Sequence, residues 1–135
     1  MQLALPARDA GAADGEIFYK EIGAKGREER EPLIIHEILS GNIPSFLKRL
    51  VPVKVHITDS ASGKIIHGVY FVTADYLSVG SNTNFARLPM SPMAAQFIAD
   101  SLHCFLPTKK MADDIYTAAV IKLNPQPLTN FRDSC

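Results

Sequence analysis

At 135 residues the chain is long enough for one domain with a real core. It is 47% hydrophobic and 21% charged, with 14 Lys and Arg set against 14 Asp and Glu. That balance removes the electrostatic case for a nucleic-acid partner, which needs a basic excess or stripe. No apolar run approaches the roughly 18 residues of a membrane span, so no membrane is expected.

The start, Met1 to Pro6, lacks the basic and apolar regions of a signal peptide. The compartment stays open: cytoplasmic, or secreted after removal of a signal from a longer precursor. Residues Ala7 to Gly15 are small and polar, and residues 1–30 are expected to form a weakly ordered lead-in. Within it Ile17, Phe18, Tyr19 and Ile22 suggest a short docking element. Residues 31–127 are expected to be a single domain and residues 128–135 a tail.

The run Lys25 to Glu31 reads as a solvated helix entrance leading into Pro32. Pro32 is expected to open a helix whose stripe is Ile34, Ile35, Ile38 and Leu39, stopped by Gly41-Asn42. A second short helix begins at Pro44, with Phe46, Leu47 and Leu50 inward, and ends at Pro52.

The period then changes from helical to alternating. Val53, Val55 and Ile57 alternate with Lys54, His56 and Thr58, the pattern of a half-buried strand. After the turn at Asp59 to Gly63 the chain returns from Ile65 to Thr73 with apolar residues on both faces, which predicts a central, doubly covered strand. Leu77 to Gly80 and Phe85 to Leu88 predict two further short strands. Ser91 and Thr108 each precede a helical stripe and suit the N-cap, with Pro92 at the first helical position. The order predicts an α+β fold: a small antiparallel sheet of three to four strands packed against two N-terminal and two C-terminal helices.

Two cysteines, Cys104 and Cys135, do not make a disulfide framework, and Cys104 is expected to be a buried thiol.

Several runs carry a resemblance: Gly41-Asn42-Ile43-Pro44-Ser45-Phe46-Leu47, Leu50-Val51-Pro52-Val53, Asp75-Tyr76-Leu77-Ser78-Val79-Gly80-Ser81, Pro89-Met90-Ser91-Pro92 and Leu106-Pro107-Thr108-Lys109-Lys110-Met111. From about Glu31 to Pro127 the chain resembles a family of uncharacterised bacterial proteins. The resemblance implies no fold, activity or catalytic residues. It implies a C-terminally shortened member, whose active site, if the family has one, is incomplete here.

Two registers compete for the hairpin. One sets His56 opposite His67, about 5 Å apart at Cβ, where Asp59 or Asp75 would complete a two-His, one-carboxylate metal site. The other sets Val55 opposite His67 and keeps Val53, Val55, Ile57, Ile65, Val69 and Phe71 on one face. The second buries more apolar surface and is the one expected, which makes His67 a core histidine. No metal and no cofactor are therefore expected.

Ser45 and Lys48 have the S-x-x-K spacing of serine acyl-enzymes, although no companion motif follows. A capping serine and a solvated lysine are the expectation. Asp75, Tyr76, Ser78 and Ser81 lie where strands turn over, as binding residues often do. Tyr70 and Tyr76 offer aromatic surface for a glycan or peptide. Thr108, Lys109 and Lys110 start a helix and present donors to a small anion.

The reading expected is a binding or assembly module that forms a homo-oligomer, or takes a glycan or small anion, through Tyr70, Tyr76, Thr108, Lys109 and Lys110. The alternative is a hydrolase acting on an ester or glycan, with His67 and Asp75 as base or ligand and Ser45, Ser78 or Ser81 as nucleophile.

Overall fold

A computed structural model of the chain describes residues 1–123; the expected stop at Pro125, the tail and Cys135 lie outside these described residues. Nine elements follow one another: α1 (Gly15–Gly23), α2 (Arg27–Leu39), α3 (Ser45–Lys48), β1 (Leu50–Thr58), β2 (Ile65–Thr73), β3 (Ser78–Gly80), β4 (Phe85–Arg87), α4 (Pro92–Ser101) and α5 (Lys109–Ala118). The protein is α+β. Its strands form two separate antiparallel ribbons, β1–β2 and β3–β4, where one continuous sheet was expected.

The core is built from Phe18 and Ile22 of α1, Ile34 and Ile38 of α2, Ile43, Leu47 of α3, Val79 of β3, Leu88 and Ile98 of α4. The stretch expected to be a weakly ordered lead-in therefore supplies part of the core, together with buried Leu3. The sequence signal was short: Phe18 and Ile22 are four residues apart, one turn of a single apolar stripe. Ile17 and Tyr19 point outward.

Helix α2 begins a turn earlier than Pro32 suggests. Glu29 reaches back so that its carboxylate accepts from the Gly26 N–H at 3.3 Å, half of a capping box. The charged run is thus the exposed entrance of the helix, as expected, and Pro32 lies inside it. At the other end Gly41 takes φ 88°, and a Cβ there would lie 2.3 Å from the Pro6 carbonyl. Only glycine fits.

Ser91 caps α4, its hydroxyl accepting from the Ala94 N–H at 3.2 Å. The same residue donates its N–H and hydroxyl to the Glu31 carboxylate at 2.8 and 3.0 Å, which joins α2 to the start of α4. These bonds, the backbone N–H first, hold the Glu31 carboxyl below its ordinary range. Thr108 caps α5 in the same way as Ser91, through the Met111 N–H.

The first residues of the N-terminal segment bond Lys48 and Leu50 through the main chain, and the rest is held by one buried side chain. Asn42, 2% exposed, accepts from Arg8 Nε at 2.8 Å and donates to the Ala13 carbonyl at 2.9 Å and to Glu37 at 2.6 Å. Its backbone carbonyl accepts from the Gly80 N–H. Close by, α1 meets the second ribbon backbone to backbone: Gly15 donates to the Asn84 carbonyl at 2.9 Å. A Cβ on Gly15 would lie 2.4 Å from the backbone of Ala86, and one on Gly80 would lie 2.6 Å from the Gly15 nitrogen.

The first ribbon adopts the register not expected. His56 pairs with His67, Val53 with Tyr70 and Ile57 with Ile66. The turn decides it. Asp59 N–H donates to Lys64 at 2.8 Å, Gly63 N–H returns to Asp59 at 2.7 Å with Gly63 at φ 68°, and the Asp59 carboxylate accepts from Ala61 and Ser62. Turn geometry fixes hairpin register. β2 is mostly exposed rather than doubly covered, because it pairs only with β1.

Replacing Asn42 by Ala removes three hydrogen bonds at once, to Arg8, Ala13 and Glu37, although Arg8 keeps its bonds to Ala12, Ala13 and Asp14. At about 1 kcal/mol net for each hydrogen bond lost, a loss of about 3 kcal/mol is expected in chemical denaturation. A change below about 1 kcal/mol would show that the junction does not hold the fold.

Candidate functional site

Alternation along β1 and β2, with the observed register, sorts their side chains onto two faces. Val51, Val53, Val55 and Ile57 share one face with Ile66, Gly68, Tyr70 and Val72. Lys54, His56 and Thr58 share the other with Ile65, His67, Val69 and Phe71. Helix α5 packs against β1, and the Tyr70 hydroxyl donates to the Met111 carbonyl at 3.2 Å. Burial and the Asp114 carboxylate push the Tyr70 phenol up, and it serves as a packing contact.

The ribbon is poorly covered for its composition. Ile65, Ile66 and Val69 are 53%, 57% and 50% exposed, and Ile57, Phe71 and Tyr116 are exposed beside them. β2 carries no charge and no proline along nine residues. A strand edge of this kind is a template for pairing, and natural edges usually carry charges, proline or bulges against it. The sequence pattern contained this signal, but apolar residues on both faces read equally well as double burial.

The residues proposed for hydrolysis are held apart in separate roles. His67 is exposed on the ribbon, with the His56 ring as its aromatic neighbour. Asp75 accepts from the Arg87 guanidinium and from the Tyr76 N–H. Ser45 bonds Asn82 through its N–H and hydroxyl, and Lys48 donates to the Pro6 carbonyl rather than toward Ser45. Ser78 is buried and donates to the Tyr76 carbonyl, while Ser81 closes the loop against Asn84. No hydrogen bond among the described residues joins His67 to Asp75 or to any of these serines.

The candidate binding residues are likewise dispersed. Tyr76 is 79% exposed on its loop. Lys110 pairs with Asp114 at 2.8 Å, which raises its ammonium pKa and turns its charge from any anion at the start of α5. Thr108 is engaged as the cap, and Lys109 is exposed. Cys104 is half-buried and free, its thiol on the Leu102 carbonyl.

Two open depressions accompany these features. One of about 590 Å³ lies between α2 and α4, lined by Pro32, Ile35, His36, Leu39, Ser40 and Phe97. The other, about 360 Å³, lies on the ribbon beside Lys54, Val55, His67, Gly68 and Val69. Among the described residues no group of three or more His, Cys, Asp and Glu is placed to hold a metal ion. No described helix is long and apolar enough to cross a membrane.

The Arg87 guanidinium, through its hydrogen bonds first, holds the Asp75 carboxyl below its ordinary range. A lowered folded-state pKa stabilises above the unfolded value, near 3.9, and that stabilisation is lost as pH falls through the folded value. With both partners partly exposed, Asp75→Asn is expected to cost no more than about 1 kcal/mol at neutral pH. The gap from the wild type closes in acid, as a pH series of denaturation curves would show.

No protein-family model, curated protein or solved structure matches this chain.

Proposed function

We propose that the protein is an assembly module that pairs with a second copy of itself through the outer edge of β2. The observation that carries this reading is the uncharged nine-residue edge, unpaired among the described residues, with its exposed isoleucines and valine. Two such edges related by a two-fold axis run antiparallel, and the self-complementary contact closes at a dimer. The product is a four-stranded sheet of order β1–β2–β2–β1.

Magnitudes favour a weak rather than an obligate dimer. Ile65, Ile66, Val69 and Phe71 are each about half exposed. Edge pairing leaves both faces open and shields only the flanks of these side chains, at about 0.5 kcal/mol apiece, about 4 kcal/mol for two copies. That lies at the low end of the roughly 4–15 kcal/mol cost of association, so the main-chain hydrogen bonds between the edges tip the balance. The uncharged edge of β2 also suits its own copy better than a charged partner, since neither strand brings a charge that loses its hydration.

Sedimentation velocity over a concentration series is expected to show a reversible monomer–dimer equilibrium. Val69→Lys, at an exposed position in mid-strand, should shift it to monomer with an unchanged circular dichroism spectrum. A wild-type chain that stays monomeric throughout the series would overturn the reading.

A further inference from the structure

The geometry points to a divalent transition-metal site at the cross-strand pair His56 and His67. The two residues are direct partners in the β1–β2 ladder, so their side chains leave the same face. Both are exposed, and their ring centroids lie 6.3 Å apart with the planes tilted by 48°. A metal bound at 2.0–2.1 Å from an imidazole nitrogen sits about 3.2 Å from the ring centroid. Two rings on one ion are therefore about 6.4 Å apart when opposed and about 5.2 Å apart at the tetrahedral angle. The observed separation falls at the wide end of this range. Closing it by about 1 Å is within the reach of χ rotations in two exposed side chains.

The surroundings set the class of ion. The neighbours on that face are Lys54, Thr58, Ile65 and Val69, with no carboxylate among them. Asp59 is committed to its turn and Asp75 to Arg87, so neither completes the three-ligand site considered from the sequence. Two neutral imidazoles suit Zn²⁺, Cu²⁺ or Ni²⁺ and are poor ligands for Ca²⁺ or Mg²⁺. Both imidazoles are exposed, so water can fill the remaining positions. The ion would tie together two strands that have no third strand beside them among the described residues, which makes the ribbon stiffer. The site lies within one protomer and does not depend on pairing through β2.

Zn²⁺ titration of the full chain, followed by histidine side-chain NMR and calorimetry, tests it. The His56 and His67 rings are expected to shift together at one equivalent, with amide exchange slowed across Val55 and Gly68. His36 and His103 should stay unmoved. Loss of a direct ligand should cost at least what loss of an outer partner does, about 10–100-fold in affinity. His56→Ala and His67→Ala should each show this, and the double variant should add little. Rings unmoved by excess Zn²⁺, binding that survives either substitution, or shifts confined to Cys104, His36 or His103 would overturn the assignment.

Discussion

The buried amide of Asn42 is the constraint on which the body of this protein depends. It is the point where the N-terminal segment, the end of α2 and strand β3 meet, and each is held by a different atom of one residue. Water is excluded there, so every bond must be met by the protein. Arg8 shares the task, bonding the carbonyls of Ala12 and Ala13 and the Asp14 carboxylate. The chain from Pro6 to Asp14 is therefore wrapped around a polar centre, and it delivers α1 to its place on the hydrophobic core.

Against this body stands a ribbon of a different character. A two-stranded hairpin is marginal alone in water. Here α5 packs on one side of it, yet no residue of α5 is fully buried. The body gathers Ile34, Ile38, Ile43, Leu47 and Ile98 out of solvent, whereas the ribbon and α5 leave isoleucines, Phe71 and Tyr116 in it. Apolar residues are exposed on the body too, Ile17, Met93 and Phe105 among them, but on the ribbon they line an open strand edge.

Much of this was legible in the residues. The cap at Ser91 with Pro92, the short strand ending at Gly80 and the stop at Gly41 were all local chemistry, and all are found. What escaped was set by distant partners. Nothing near Phe18 shows that Val79 and Ile98 share its cluster. The apolar pattern favours the other hairpin register, but the Asp59 turn overrides it, and the short α5 covers too little of the ribbon to reward that burial. The candidate site was legible only as residue types. His67 and Asp75 were found as singular residues, but their separate engagements depend on Arg87 and His56, which only the folded register supplies.

The tight meeting of Gly15 with Gly80 and Ala86 has a consequence for how the protein is made. Contacts between residues so far apart in the chain form late, since a long loop must close before they reward it. During synthesis Met1 to Ala13 can dock on Asn42, Lys48 and Leu50, but Gly15 has no docking surface until the second ribbon has left the ribosome. The β1–β2 hairpin and the end of α2 are complete before then. The start of α1, among the first parts made, is thus among the last to be locked, and the burial of Phe18 and Ile22 is complete only when β3 and β4 arrive.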